Sequence, residues 1–214
     1  MSFTLILGNK AYSSWSLRPW IALKQAGIPF EEKVIPIYME GSSAAIRRYS
    51  PAGKVPILKD GDVTVWDSLS IIEYVAEKHP TLWPADPKAR AVARSISAEM
   101  HSGFVPLRKL CTMNLRRHYP NFELSDDVKE NVARIETIFS EARAQFAGDG
   151  PFLFGEWTGA DAMYAPVVTR FKTYDVKLSK PAQDYCDTIL ALPSMKEWYA
   201  AAEAEPWTLP QYEY

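Results

Sequence analysis

Residues 11–23 read Ala11-Tyr12-Ser13-Ser14-Trp15-Ser16-Leu17-Arg18-Pro19-Trp20-Ile21-Ala22-Leu23, and this stretch decides how the chain begins to fold. Ahead of it, Phe3 to Leu7 is β-prone and stops at the turn pair Gly8-Asn9. Behind it, Leu17, Ile21, Leu23 and Ala26 follow a helical pattern that stops at Gly27, a natural residue to end a helix. Pro19 has no N–H, which costs nothing only in the first helical turn. That rule predicts Ser16 as the N-cap, with Leu17, Arg18 and Pro19 at the first three helical positions. Ser13 and Ser14 then lie in the preceding loop, their hydroxyls near the positive end of the helix. Free N–H groups and hydroxyls at a helix start form a site for an anion.

Working outward, Phe30–Ile37 is a second strand, and Pro36 suggests a sheet edge. Gly41–Tyr49 is weakly helical. Val55–Leu58 and Val63–Trp66 flank Asp60-Gly61, a hairpin signal. Asp67-Ser68 opens a helix with Ile71, Ile72, Val75 and Ala76 turned inward, ending before Pro80. The order β-α-β-α-β-β-α is a thioredoxin-like layout. Residues 81–87 contain two prolines and are expected to be a linker between domains at 1–80 and 88–214. The second domain reads as all helix. Lys88 to about His118 is expected to be one long helix, bent near Gly103 and Pro106. Ser125 caps the next, with Val128, Val132, Ile135, Phe139, Ala142 and Phe146 at steps of three and four. Thr158 and Asp161 form a capping-box pair with a purely structural role. Two shorter helices follow, near Ala182–Leu190 and Ser194–Glu203, and the aromatic tail Trp207–Tyr214 is expected to fold back on the body.

The 214 residues are 47% hydrophobic and 23% charged, with a formal net charge of −2, which gives no reason to expect nucleic acid or an anionic membrane as partner. No apolar run approaches the ~20 residues of a membrane span, and the N-terminus has no signal-peptide pattern. Cys111 and Cys186 form no metal or CxxC motif and are expected to be buried thiols of a cytoplasmic protein. His79, His101 and His118 show no catalytic or metal spacing and read as surface or helix-end residues.

Four motifs recur in order: Ser13-Ser14-Trp15-Ser16-Leu17-Arg18, Lys54-Val55-Pro56, Asp67-Ser68-Leu69-Ser70-Ile71, and Gly155 with Thr158 and Asp161. Together they resemble the cytosolic glutathione transferase superfamily over essentially the whole chain. The serine cluster is most similar to the zeta class, which includes maleylacetoacetate isomerases and carries Ser-Ser-Cys-Ser where this chain has Trp15 in place of cysteine. The resemblance implies a thioredoxin-like domain followed by an all-helical one, glutathione as co-substrate, no metal, and a homodimer in the cytoplasm with a detoxifying role. Pro56 would be a cis proline, and the Val55 backbone would pair with the cysteinyl part of glutathione. Asp67 and Ser68 would hold its γ-glutamyl end, and Lys54 with Arg47 or Arg48 its glycyl carboxylate. A pocket for the second substrate would draw on Trp15, Met100, Phe104 and Met113. Arg116, Arg117 and Arg170 read as solvated charges or as partners of an acidic substrate.

The chemistry expected is ionisation of the glutathione thiol. Lowering an ordinary thiol pKa by two units needs about 2.7 kcal/mol of thiolate stabilisation. A helix N-terminus supplies roughly 0.3–2 kcal/mol, and a hydroxyl donating to the thiolate about 1.5–3 kcal/mol. A serine at a helix start provides both, as a donor and not as a nucleophile. Ser13 matches the family's catalytic serine, Ser14 is the runner-up, and Tyr12 ranks below both. The expected activity is conjugation of glutathione to a small electrophile. Two alternatives are a zeta-like cis–trans isomerase and a non-catalytic binding protein on the same fold.

Overall fold

A computed structural model describes residues 3–213. Residues 3–76 build one four-stranded sheet and three helices. Strands β1 (Phe3–Leu7), β2 (Phe30–Val34), β3 (Ile57–Asp60) and β4 (Val63–Val65) lie in the order β2-β1-β3-β4. β2 runs parallel to β1, with Phe3 opposite Phe30, while β3 and β4 are antiparallel to their neighbours, with Leu5 opposite Leu58 and Leu58 opposite Val65. β2 is an edge, as Pro36 suggested, and its Glu31-Glu32-Lys33 is exposed accordingly. α1 (Ser14–Gln25) crosses from β1 to β2, α2 (Ser42–Arg47) leads to β3, and α3 (Ser68–Ala76) follows β4 with the expected Ile71, Ile72, Val75 and Ala76 buried.

The start of α1 differs from the sequence expectation. Ser13, not Ser16, is the N-cap: its side chain accepts from Ser16 N–H. The turn is already closed upstream, because the Ser13 N–H bonds to the Asn9 carbonyl at 2.8 Å. Pro19 therefore falls inside the helix, where it forfeits one backbone hydrogen bond.

The remaining chain is helical. A short 3-10 turn, Pro80–Leu82, precedes α4 (Pro87–Ser102), α5 (Val105–Leu110), α6 (Asp126–Phe146), α7 (Gly159–Thr173), α8 (Lys180–Ala191) and α9 (Pro193–Ala204). The expected continuous helix from Lys88 to His118 is broken, not bent. α4 stops at Gly103, where a side chain would meet the Glu99 carbonyl at 2.7 Å. Phe104 then takes a left-handed conformation, φ +53°, and Pro106 sits at the second position of α5, where its missing N–H is not needed. α7 is buried along nearly its whole length and joins the two parts: a side chain at Gly159 would meet Ile72 of α3 at 2.8 Å. Trp20 of α1 packs on Trp198 of α9 with ring centroids 4.9 Å apart.

The tail folds back on the body. Leu209 is buried, Tyr212 stacks on Tyr12 at 5.7 Å, and Glu213 accepts from Tyr12, Asn114 and Arg117; Tyr214 lies outside the described residues. Cys111 and Cys186 are buried and unpaired, and burial pushes their thiols up to about 11 and about 12. Among the described residues no helix is long and apolar enough to cross a membrane, and no cluster of ligating side chains suits a metal.

Candidate active site

A cavity of about 840 Å³ opens where α1 begins, beside the loop between β2 and α2 and the turn before β3. Ser13 lines it, and so do Lys54, Val55, Pro56 and Asp67. Three of the four sequence motifs thus converge on one space from three separate loops. The Val55–Pro56 peptide is cis, and so is Trp66–Asp67. Ile37, Tyr38, Met39 and Trp66 add apolar surface, and none of them carried a sequence signal beyond a β-prone or loop pattern. The Ile37 N–H is held by the Asn9 side chain at 2.7 Å, which ties this loop to the turn before α1.

The serines are placed unequally. Ser13 borders the cavity, whereas Ser14 is buried and is not among the lining residues. Ser16 is fully buried, and its hydroxyl accepts from the Gly8 N–H at 2.9 Å. Tyr12 is engaged elsewhere: its hydroxyl donates to Glu213 at 2.8 Å. Burial and the Glu213 carboxylate raise the Tyr12 pKa, so this phenol is no source of a ready proton for the cavity.

Asp67 caps α3, taking the N–H groups of Leu69 and Ser70 on Oδ1. Its Oδ2 lies 3.0 Å from Nε2 of His101, a residue of α4. His101 also meets Trp15 edge-on at 5.3 Å. It therefore stands behind two residues of the cavity wall, Asp67 and Trp15, and is not the bystander that its isolated position in the sequence suggests. Only tertiary packing of α4 against α3 brings it there. Ser68 is fully buried and accepts from Arg18 at 3.4 Å.

Arg18 is itself buried, with its guanidinium 4.4 Å from the Trp15 ring. Burial, reinforced by Arg170 and Arg108, pushes it down to about 9, so it stays charged at neutral pH. A buried cation close to the start of α1 reinforces the positive potential of the helix N-terminus. Arg108 stands 5.5 Å from the same ring. Trp15 is thus an aromatic platform flanked by cations, and it borders the cavity.

Other candidates fall outside. Met100, Phe104 and Met113 are buried in the main core and are not among the residues lining the cavity. Arg170 is buried and donates to the carbonyls of Cys111 and Pro166. Arg116 bonds the carbonyls of Ala202 and Trp207, and Arg117 bonds Glu213. All three hold the helical part and the tail together. Of the cations near the cavity, Lys54 lines it and is exposed, and Arg47 lies against Gly53, its Nε 3.2 Å from where a side chain at Gly53 would begin.

Comparison with known proteins agrees with this architecture. Residues 12–78 match the family model "Glutathione S-transferase, N-terminal domain" and residues 125–201 match "Glutathione S-transferase, C-terminal domain". A probable maleylacetoacetate isomerase of Caenorhabditis elegans is 31% identical over 78% of this chain and 77% of its own length. The maleylacetoacetate isomerase of Mus musculus is 36% identical over 81% of each. Among solved structures, a Burkholderia glutathione transferase homologue with bound glutathione superposes with a TM-score of 0.70 at 22% identity, covering 96% of this chain and 100% of that one.

Proposed function

This chain belongs to the glutathione S-transferase family, and we propose that it binds glutathione in the 840 Å³ cavity and adds its thiol to a small electrophile. The observation that carries this reading is the meeting of Ser13, at the N-cap of α1, with Lys54-Val55-Pro56 and Asp67 around one space. The donor set suits the tripeptide. Lys54 and the neighbouring Arg47 match its glycyl carboxylate, and the Val55 backbone offers a peptide edge before β3. Asp67 suits the γ-glutamyl ammonium, and the N-terminus of α3 at Ser68 suits the γ-glutamyl carboxylate.

Glutathione supplies the nucleophilic sulfur, and the protein's task is to favour its ionised form. Ser13 does this as a hydrogen-bond donor at the start of α1, with Arg18 adding charge close by. The sum is about 2–5 kcal/mol from a charged hydrogen bond and a helix terminus, against about 2.7 kcal/mol needed for a two-unit shift. Ser13→Ala is therefore expected to raise the pKa of the bound thiol and lower turnover with little change in glutathione affinity. Ser14→Ala is expected to leave the thiol as in the wild type; the opposite pattern assigns the role to Ser14. Calorimetric titration without glutathione binding refutes the reading as a whole.

A second reading has a specific observation behind it, since relatives named maleylacetoacetate isomerase are 31–37% identical to this chain. In that case the same thiolate adds and leaves again, and a cis–trans isomerisation results. Turnover of maleylacetoacetate without conjugation of aromatic halides separates the isomerase from the transferase. We further propose that the protein acts as a homodimer in the cytoplasm, with residues 1–80 and 88–214 as its two domains.

A further inference from the structure

Ser16 is a serine of the cluster to which the function proposed above gives no task. Its hydroxyl is fully buried and has two hydrogen-bond neighbours among the described residues. The Gly8 N–H donates to it at 2.9 Å. The Ser13 hydroxyl lies 2.8 Å away, placed to donate to Ser16, while Ser13 Oγ accepts from the Ser16 N–H at 3.3 Å.

Counting hydrogens decides what this pair can do. A hydroxyl has one hydrogen, two lone pairs and free rotation about its C–O bond. With Ser13 donating to Ser16, the Ser16 hydrogen has no acceptor, a buried unmet donor. With the direction reversed, the Ser16 hydroxyl is satisfied as both donor and acceptor. Ser16 accepts from Gly8 and donates to Ser13, and Ser13 accepts twice. The Ser13 hydrogen is then left over, and the space beside Ser13 is the cavity.

We propose that Ser16 is a positioning residue, whose buried hydroxyl donates to Ser13 Oγ and turns the Ser13 hydrogen toward an anion in the cavity. This rests on the reading that Ser13 faces the glutathione thiolate. Only two hydroxyl rotations are involved, and no proton changes owner. The chain Gly8 N–H to Ser16 O–H to Ser13 O–H points one way, so each bond polarises the next, by roughly 10–30% per bond. Ser16 also holds the Ser13 side chain in one rotamer, which the 3.3 Å bond from its backbone N–H does only weakly. Trp15 between the two serines does not interrupt this, because N-cap and third helical position face each other across one turn.

The test is the pH dependence of the ultraviolet thiolate absorbance of glutathione bound to the whole protein, in wild type, Ser13→Ala, Ser16→Ala and the double variant. Ser13→Ala should lower the thiolate fraction at neutral pH about tenfold or more, and Ser16→Ala about threefold. Because Ser16 acts through Ser13, the double variant should match Ser13→Ala alone. A wild-type thiolate fraction in folded Ser16→Ala, or an added loss in the double variant, overturns the role of Ser16 while leaving that of Ser13 intact. An unchanged thiolate in Ser13→Ala overturns the reading on which both depend. If losing the Gly8 partner prevents Ser16→Ala from folding, two shape-preserving variants decide. Ser16→Thr keeps the hydroxyl and should retain the wild-type fraction. Ser16→Cys keeps the size but donates weakly, and a wild-type fraction there overturns the inference.

Discussion

Replacing Asp161 tests how the helical half is held together, and the structure allows the cost to be worked out donor by donor. Asp161 is fully buried, and its two oxygens divide four donors evenly. Oδ1 takes the Leu153 N–H and the Tyr185 hydroxyl, each at 3.0 Å. Oδ2 takes the Thr158 N–H at 2.9 Å and the Thr158 hydroxyl at 3.0 Å. Asp161→Asn keeps the shape but turns one oxygen into an NH₂ group. Whichever way the amide is set, that NH₂ faces a backbone N–H, of Leu153 or of Thr158. The hydroxyls can rotate and accept; the backbone N–H cannot. One stranded backbone donor costs about 1–3 kcal/mol, and the opposed donors put the expected loss at the upper end, about 2–3 kcal/mol. Asp161→Ala strands both and should cost about 3–5 kcal/mol, a large part of a typical stability of about 5–15 kcal/mol. Urea unfolding with a reversibility check measures both, and glutathione affinity of the folded Asn variant should stay at the wild-type value. An Asn variant within about 0.5 kcal/mol of wild type, the range of an ordinary surface substitution, would refute the reasoning that these four bonds are required.

Burial pushes the Asp161 carboxyl up to about 6, desolvation outweighing its four donors. The native pKa thus exceeds the unfolded value of about 3.9, so this group's contribution to stability is full below that value and is lost as pH rises through about 6. The stability gap between wild type and Asp161→Asn should widen by about 2 kcal/mol from pH 7 to pH 4, and a constant gap in urea titrations counts against it. Tyr12→Phe removes a hydroxyl bound to Glu213 and should cost about 1 kcal/mol in unfolding with turnover intact; a loss of turnover on the scale of Ser13→Ala would move the catalytic hydroxyl to Tyr12. His101→Ala removes the partner of Asp67 Oδ2 and should raise KM for glutathione severalfold, with the pH profile of turnover unmoved. A shifted profile would instead tie His101 to the thiol.

Much of this was legible in the chain because the signals are local. Asp67 before Ser68, the hairpin at Asp60-Gly61 and the inward Ile71-Ile72-Val75-Ala76 depend on neighbours within a few residues, and all appear as read. The errors arise where a local rule met a tertiary condition. Pro19 pointed to a later start for α1, yet the turn closed by Asn9 and capped by Ser13 outweighs the single backbone bond that an interior proline gives up. The pattern from Lys88 to His118 stayed helical on paper, but Gly103 and the left-handed Phe104 cut it in two. Met100, Phe104 and Met113 carry the side chains of a substrate pocket and lie in the core, since helical periodicity alone does not tell a core face from a pocket face.

His101 and Trp15 show what lies beyond a sequence reading and why it matters for the electrophile. Neither stands in a motif with the other, and 86 positions separate them. Yet the ring of one meets the ring of the other at 5.3 Å, with Arg18 and Arg108 beside the same indole. By the motif resemblance Trp15 stands where the zeta class carries cysteine, and an indole is far bulkier than a thiol. It presents an aromatic surface on the wall of the cavity that Ser13 also lines. Exposed Tyr38, Met39 and Trp66 line the same cavity, so the surface on offer to a second substrate is chiefly aromatic and apolar. Arg116, Arg117 and Arg170 are all committed to the helical half and the tail, so the positive charge near this surface comes from Lys54 on the cavity wall and from Arg18 and Arg108 beside the Trp15 ring.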